Sequence, residues 1–300
     1  MRPTCNLELY LDGAWRDAAA VDLTGDGGRS IDASTVLAYT SAHAIGCLDR
    51  RDAAAFSAPL PVSLTLDTLP GWPAFLVDLL PQGYGRREVL KQLQRPEYAE
   101  READWALTLV DRALFIPRFD RAVADGIVLR HSQESVAAFC ELTGFGAAPT
   151  HNEVCRRLGL WATDPLADVT EYVRRDLANI ALGNKDNHGR NTAIQRRQDG
   201  TVALAPLFDF APMWLHPDGI ARKMRWERDD GGSPQWASAI AQAAQAAGLD
   251  EAAVRQGVRT MAEPLARVYQ AALDLGIDEQ AFLKPIEKSL LQVRAQLEAL

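Results

Sequence analysis

The sequence predicts an α+β fold in which a small β-rich N-terminal part precedes a large α-helical C-terminal part. Three observations lead to this fold class. Apolar and polar residues alternate in segments of the first 70 or so residues, which is typical of half-buried strands. Apolar residues recur at helical spacing in the second half, and the tail from Trp236 to Leu300 is rich in alanine, leucine and glutamine. The composition, 47% hydrophobic and 24% charged, excludes a disordered chain and a disulfide scaffold.

The β-rich part is predicted from period-two patterns. Residues 6–11 read Asn-Leu-Glu-Leu-Tyr-Leu, and Asp12-Gly13 directly after them is typical of a tight hairpin turn. Residues 62–66 alternate in the same way and predict a further strand.

The C-terminal part is predicted to be helical with one embedded hairpin. Tyr172, Val173 and Leu177 lie at helical spacing on a helix that should end at about Leu182. Short strands are expected at 192–194 and 202–205, on either side of a turn at 198–200, and the helices of the tail should break at Gly248 and Gly276.

Charge and cysteine content restrict the class of partner. The chain has 32 Lys and Arg residues against 40 Asp and Glu residues, a net charge of −8, so we expect no direct nucleic-acid binding. The four cysteines form no C-x-x-C pair, which is typical of free thiols in a reducing compartment. No run approaches the ~18 apolar residues of a membrane span, so we expect a cytoplasmic protein without membrane contact.

The chemistry-bearing segment is the polar loop that follows the helix ending near Leu182. It reads Gly183-Asn-Lys-Asp-Asn-His-Gly-Arg-Asn191, and Asp209-Phe210 comes one hairpin later. Phosphoryl transfer needs a carboxylate that orients the attacking hydroxyl and oxygen ligands that hold Mg²⁺. Protein kinases supply these groups as Asp-x-x-x-x-Asn followed by the aspartate of Asp-Phe-Gly. Asp186, Asn191 and Asp209 have this order and spacing, with Ala211 in place of the glycine.

A plain polar turn is the alternative interpretation of this loop, because Asn, Asp and Gly are common in turns. His188 alone is more typical of a structural or capping residue. The succession of loop, hairpin and Leu-Phe-Asp-Phe favours the phosphoryl-transfer interpretation and makes His188 a candidate for a phosphate contact.

These motifs resemble those of the HipA-type serine/threonine kinases, the toxins of bacterial toxin–antitoxin systems. The resemblance rests on residues 183–191, on Pro206-Leu-Phe-Asp-Phe-Ala-Pro-Met213 and on Arg118-Phe-Asp-Arg121 with His131-Ser-Gln-Glu134 after it. Phe75-Leu-Val-Asp-Leu-Leu-Pro-Gln-Gly83 resembles the signature of the family's N-terminal subdomain. The resemblance implies a two-lobed, protein-kinase-like form of the α+β fold. Its parts would be an N-terminal subdomain with a truncated kinase N-lobe at 1–117 and a helical kinase lobe at 118–300.

The resemblance also implies a role for each residue that matches a family motif. Asp186 would be the catalytic base, and His188 would contact the nucleotide phosphates as a second catalytic residue. Asn191 and Asp209 would bind Mg²⁺. The expected ATP-binding residues are Arg118 and Phe119 of the hinge strand, Gln133, and Phe208, which stands where the family often has tyrosine.

One family feature is missing from the sequence. A glycine-rich loop and a strand lysine for the ATP phosphates should lie between the N-terminal signature and the hinge. Residues 86–117 contain no glycine, and their single lysine, Lys91, lies in a segment whose pattern suits a surface helix.

The resemblance implies an ATP- and Mg²⁺-dependent serine/threonine protein kinase that acts on a translation-related protein, such as an aminoacyl-tRNA synthetase, and causes growth arrest. It also implies a DNA-binding, HipB-like antitoxin as partner. Two alternatives stay open: a degenerate kinase that acts as a binding or regulatory module, and a kinase for a small molecule or lipid.

Overall fold

A computed structural model describes residues 4–24, 34–78, 119–124, 127–144, 146–211, 213, 220–277 and 279–300. It confirms the predicted α+β class, with a β-rich N-terminal part and a helical C-terminal part. The strands are β1 (Thr4–Leu11), β2 (Ala14–Leu23), β3 (Thr35–Tyr39), β4 (Asp67–Leu69), β5 (Arg121–Ala124), β6 (Ile127–Arg130), β7 (Ser132–Ser135), β8 (Ala193–Arg196) and β9 (Val202–Leu204). The helices are α1 (Ser41–Cys47), α2 (Ala74–Asp78), α3 (Val136–Phe139), α4 (His151–Trp161), α5 (Pro165–Ala181), α6 (Trp236–Ala247), α7 (Glu251–Arg259), α8 (Ala262–Asp274) and α9 (Lys284–Glu298), with a π-helical turn at Glu279–Leu283.

The N-terminal part is a four-stranded antiparallel sheet in the order β1-β2-β3-β4. Its first hairpin turns at Asp12 and Gly13, whose φ angles of 51° and 80° are both positive, as a type I′ turn requires. The alternation in β1 is confirmed, because its three leucines are buried in a core of their own. That core is formed by Leu7, Leu9, Leu11, Ala18, Ala19, Val21, Leu37, Tyr39, Ala44, Ala53, Ala54, Ala55, Phe56, Val62, Phe75 and Leu76.

The strand predicted at 62–66 is wrong. Val62 is fully buried, but Leu64 and Leu66 are 61% and 68% exposed, and pairing begins only at β4. The hydroxyl of Ser63 accepts a hydrogen bond from the Thr65 backbone N–H at 2.9 Å. This local bond replaces a ladder hydrogen bond, so the backbone turns where the apolar alternation favoured an extended strand.

The C-terminal part joins the antiparallel sheet β7-β8-β9 to the remaining helices. The predicted hairpin is confirmed, and its turn contains Gly200 at a φ of 90°. The predicted helix end is confirmed as well, since α5 ends at Ala181 with Leu182 as its C-cap. Gly248 and Gly276, with φ of 68° and 72°, stand where the tail helices break. A second core is centred on Phe139, Leu158, Val173, Leu177, Trp236 and Ile240.

Two buried side chains connect the N-terminal part to the paired strands β7 and β8. Glu134 accepts hydrogen bonds from the Ser57 hydroxyl and the Ala58 N–H. Arg196 donates to the carbonyl oxygens of Asp52, Ala55 and Phe56, within segment 52–58. The predicted domain boundary at 117/118 lies outside the described residues and stays a prediction.

Two further expectations concern the chain as a whole. The four cysteines are free, and Cys140 and Cys155 are buried. None of the helices in the described parts of the chain combines the length and apolar character needed to cross a bilayer.

Candidate active site

The polar loop begins where α5 ends. Gly183 has a φ of 72°, a conformation in which a side chain would be strained, and it turns the backbone away from the helix axis. Asn184 is buried and donates from its Nδ2 to Oδ1 of Asn179 on α5 at 2.8 Å. Its Oδ1 accepts from the Asp186 backbone N–H at 3.3 Å. The position of Asp186 is therefore defined relative to the last turn of the helix.

The loop closes on the backbone carbonyl of Asp186. This oxygen accepts from the His188 N–H at 3.0 Å and from Nδ2 of Asn191 at 2.9 Å. The Asn191 N–H donates in turn to the His188 carbonyl at 2.9 Å. The structure therefore brings Asp186, His188 and Asn191 together in one hydrogen-bonded turn, as the motif spacing predicts.

The side chains of this turn remain accessible. The Asp186 and His188 side chains are 35% and 39% exposed, and His188 Nε2 lies 3.8 Å from Asp186 Oδ1. His188 Nδ1 also accepts from the Arg190 N–H at 3.2 Å, which is a capping contact. His188 thus has the structural role that the alternative interpretation favours, and its ring still faces the carboxylate of Asp186.

Gly189 allows the loop to lie directly on α3. A Cβ atom at this position would be 3.1 Å from Ala137 Cβ and 3.1 Å from Pro149 Cδ. The Gly189 carbonyl accepts from the Ala137 N–H at 2.9 Å, and the Thr192 carbonyl accepts from the Val136 N–H at 2.8 Å. These two hydrogen bonds hold the loop against the backbone of α3. A side chain at 189 would meet Ala137 and Pro149 and would push the loop away from the helix.

Asp78 and Arg190 form a contact that sequence reasoning missed. The carboxylate of Asp78, at the end of α2, accepts from the Ser135 N–H at 3.0 Å and from its hydroxyl at 2.7 Å. Arg190 Nε lies 3.4 Å from the same carboxylate, and both side chains are less than 20% exposed. Both residues stand in the motifs that carry the family resemblance, which is the signal that could have linked them.

Three of the expected nucleotide-site residues are connected through β8. Phe119 stacks on Phe208 with a centroid distance of 5.9 Å and an interplanar angle of 29°. The Phe119 carbonyl accepts from Nε2 of Gln195 at 2.7 Å, and Gln195 pairs with Gln133 in the β7–β8 ladder. Phe119 therefore contacts Phe208 and the β8 residue that pairs with Gln133, while Arg118 and Lys91 lie outside the described residues.

Asp209 follows Phe208 directly and has a φ of 53°. A positive φ is uncommon for residues other than glycine, although aspartate tolerates it better than most. The Ala205 N–H donates to the Ala193 carbonyl at 2.8 Å, so the end of β9 lies beside the start of β8. This pairing relates the Asp209 segment to the Asn191 loop, since Ala193 is two residues after Asn191.

The candidate metal ligands suit Mg²⁺ in their chemistry. Asp209 offers a carboxylate, and Asn191 offers an amide oxygen because its amide nitrogen already donates within the loop. Mg²⁺ is usually bound by one or two carboxylates together with phosphate oxygens and waters. Among the described residues no group of three or more His, Cys, Asp or Glu residues could hold a metal.

A buried polar network supports the segment after the Asp209 motif, and the sequence contained no signal for it. Arg222 donates to both carboxylate oxygens of Asp176 at 3.1 and 3.3 Å and to those of Asp230 at 2.6 and 2.8 Å. Trp226 donates from its Nε1 to Asp176 at 2.9 Å and from its backbone N–H to Asp230 at 2.8 Å. The network ties segment 220–230 to α5, the helix that leads into the Asp186 loop.

His151 completes the network as a neutral imidazole. Burial lowers the pKa of His151, although the nearby Asp176 carboxylate favours its charged form. Its Nε2 accepts from Arg222 at 3.1 Å, because an arginine can only donate, so Nδ1 carries the proton and donates to the Tyr172 hydroxyl at 2.8 Å. Burial would raise the pKa of Asp230, but hydrogen bonds from Trp226 and Arg222 outweigh it and hold that pKa below its usual value.

Comparison with known proteins adds three findings. A family model described as HipA-like C-terminal domain matches residues 98–269. A protein of Sinorhizobium fredii (strain NBRC 101917 / NGR234) named "Putative kinase Y4mE" is 29% identical in an alignment of 183 residues that covers 55% of this chain and only 42% of that protein. A chain of the Shewanella oneidensis MR-1 toxin–antitoxin complex of HipA, HipB and operator DNA aligns with 99% of this chain and 63% of its own length, at a TM-score of 0.44 and 16% identity.

Proposed function

The chain belongs to the HipA-like C-terminal domain family, whose model matches more than half of it, and on this premise we propose that it is an ATP- and Mg²⁺-dependent serine/threonine protein kinase. Family membership makes it a HipA-type, kinase-like protein. The nucleotide, the metal and the hydroxyl acceptor are our proposal.

The observation that carries the proposal is the closed turn of the Asp186 loop. The Asn191 side chain and the His188 N–H both donate to the Asp186 carbonyl, and Asp186 and Asn191 have the sequence spacing that kinases use for the base and a metal ligand. The half-exposed carboxylate of Asp186 is accessible to a substrate hydroxyl.

The mechanism assigns each residue one task. The Asp186 carboxylate orients the acceptor hydroxyl and takes up its proton as the oxygen attacks. Asn191 and Asp209 would hold Mg²⁺, and the stacked rings of Phe119 and Phe208 would lie at the nucleotide. Bound Mg-ATP supplies the phosphoryl group that is transferred.

Replacing Asp186 tests this assignment. In Asp186→Asn the side chain keeps its shape but cannot accept a proton, so we expect phosphate transfer from labelled ATP to protein to fall at least 100-fold. Asp274→Asn, which changes an exposed aspartate near the end of α8, is the matched control and should leave transfer unchanged. Equal rates for the Asp186 variant and the wild type would overturn the catalytic assignment.

A degenerate kinase is the second candidate function, favoured by the absence of glycine from residues 86–117. Calorimetric titration with Mg-ATP separates the two functions. A kinase should bind Mg-ATP and lose part of that affinity in Asp209→Asn, whereas a degenerate module should show no difference between the wild type and this variant. Labelled phosphate found only on small molecules or lipids of a lysate would instead favour the third alternative.

We further propose that the substrate is a translation-related protein, for instance an aminoacyl-tRNA synthetase, and that a HipB-like antitoxin binds the chain. Family membership and the signature that contains Asp78 motivate both proposals. Expression of the wild type should arrest growth of a bacterial host, while Asp186→Asn should not. Co-purification with a small helix-turn-helix protein encoded beside the gene would support the antitoxin, and its absence from such preparations would count against it.

A further inference from the structure

A cavity of about 300 Å³ lies beside the Asp186 loop. It is bordered by the end of α5 and the start of the loop, by segment 220–225, by the loop at 232–233 and by α9. Its polar lining includes Lys185, Arg222, Arg225, Ser233, Ser289 and Gln292. None of the seven residues assigned above to the described part of the kinase site lines this cavity.

The lining is cationic. Lys185, Arg222 and Arg225 contribute three positive charges, and no aspartate or glutamate is among the described residues that line the cavity. Arg222 is nearly fully buried and is neutralised by Asp176 and Asp230 behind the wall. Arg225 lies 3.4 Å from Asp230, but its side chain is 41% exposed. Three cations and two carboxylates leave a net positive charge of one. The two cations that remain accessible are Lys185 and Arg225.

The cavity lies next to Asp186, the residue that receives the acceptor hydroxyl in the proposed kinase. Asn184 and Lys185 line the cavity and directly precede Asp186 in the chain. Consecutive Cα atoms are ~3.8 Å apart and an extended peptide rises ~3.3 Å per residue, so a substrate segment at Asp186 reaches the cavity with a side chain a few positions away. Hydroxyl and amide groups of Ser233, Ser289 and Gln292 can donate to a carboxylate there.

We propose that this cavity binds an acidic side chain of the protein substrate close to the phosphorylated serine or threonine. The inference rests on the proposed kinase function and adds a substrate class to it: sequences in which Asp or Glu flanks the acceptor hydroxyl. A carboxylate receives charge-assisted hydrogen bonds from Arg225 and Lys185 that a neutral side chain does not.

The test uses the full chain and two peptides. Each peptide has a central serine. In the acidic peptide three glutamates flank the serine on either side, and in the neutral peptide glutamines replace these glutamates. Binding is measured by fluorescence anisotropy of labelled peptide, which requires no catalysis, and phosphorylation is measured separately with saturating Mg-ATP. We expect the acidic peptide to bind and react at least about tenfold better than the neutral one, and the preference to shrink at high salt.

Three variants locate the preference. Arg225→Gln removes an accessible cation, and Ser289→Asp places a carboxylate on the opposite wall, in α9. Each should reduce acidic-peptide binding about tenfold and leave the rate with the neutral peptide unchanged. Arg228→Gln is the matched control, since Arg228 donates to Gln245 and does not line the cavity. Thermal unfolding of each variant verifies that it is folded.

The outcomes distinguish this inference from the proposed function. If both cavity variants weaken binding of the acidic peptide but no phosphorylation is seen, the cavity proposal stands and the kinase proposal falls. Phosphorylation of both peptides at equal rates, or a preference that Arg225→Gln and Ser289→Asp leave intact, would overturn the cavity proposal and retain the kinase. Loss of Mg-ATP affinity in Arg225→Gln would assign the cavity to the nucleotide phosphates and would equally overturn the proposal.

Discussion

The charge states of His151 and Asp230 depend on what surrounds each side chain. His151 and Asp230 share the partner Arg222, yet burial keeps the histidine neutral while hydrogen bonds keep the aspartate charged. The difference follows from the partners. The two hydrogen bonds of His151 suit a neutral ring, whereas every donor around Asp230 favours a carboxylate.

The lowered pKa of His151 makes the stability of the protein dependent on pH. The unfolded chain binds a proton at His151 as the pH falls below about 6.5, and the folded protein binds it only at lower pH, so stability is fully present above about 6.5 and is lost as the pH falls further. We expect the free energy of unfolding in urea to decrease as the pH falls from about 6.5 to 5.5, by at most about 1.4 kcal/mol per pH unit from this group.

The variant His151→Gln tests whether His151 causes this dependence of stability on pH. Glutamine cannot take up a proton but retains hydrogen-bonding groups of similar reach, so the dependence on pH over this range should become flatter than in the wild type. An unchanged slope in His151→Gln would mean that another group titrates there.

At the scale of the elements, the candidate loop is held by its neighbours as much as by its own hydrogen bonds. Gly189 lies on α3, and Arg190 reaches Asp78 at the end of α2. The carboxylate of Asp78 also binds Ser135, the N-cap of α3. A helix of the N-terminal part thus helps to define where the loop lies.

Arg190→Gln tests this support. The variant removes the cation from a largely buried pair and should lower the free energy of unfolding by about 1–3 kcal/mol, measured in urea. Arg267→Gln, whose pair with Glu263 is more than 70% exposed on both sides, should change it by less than about 1 kcal/mol. Equal effects of the two substitutions would show that the Asp78 contact adds nothing to stability.

At the scale of the whole molecule, two hydrophobic cores are joined by a buried ion pair. Arg196 donates to three carbonyl groups of segment 52–58, and its Nε lies 3.6 Å from Glu134. Burial raises the pKa of Glu134, although Arg196 and the hydrogen bonds from Ser57 and Ala58 oppose this. The buried carboxylate of Glu134 therefore depends on Arg196, Ser57 and Ala58 together, since a buried charge without its partners is strongly destabilising.

Arg196→Met should therefore weaken the link between the two cores. The variant leaves Glu134 and three carbonyl groups without their cation, and we expect a loss of about 3–5 kcal/mol of unfolding free energy. Unfolding followed by tryptophan fluorescence and by circular dichroism should no longer coincide, because the two parts unfold separately. Arg197→Met, at the next and more exposed position, is the control, and coincident transitions in Arg196→Met would contradict the role of this pair.

Local pattern was sufficient for the features that depend on neighbours in sequence. The alternation of β1, the Asp12-Gly13 turn, the end of α5 and the hydrogen-bonded turn of Asp186 and Asn191 all arise within a few residues. The alternation at 62–66 failed for the same reason, since the Ser63 hydroxyl provides a competing local bond that an apolar pattern does not reveal.

The sequence by itself determined the fold class, the family and the order of the residues that would carry phosphoryl transfer, because periodicity, turn residues and motif spacing are properties of short segments. Only the tertiary structure decided that Asp78 supports Arg190, that Arg222 joins Asp176 to Asp230, and that a cationic cavity adjoins Asp186. These contacts join residues that are distant in the sequence, and Asp78 and Arg190 are more than a hundred positions apart. Their energies come from burial and from partners that exist only once the chain has folded.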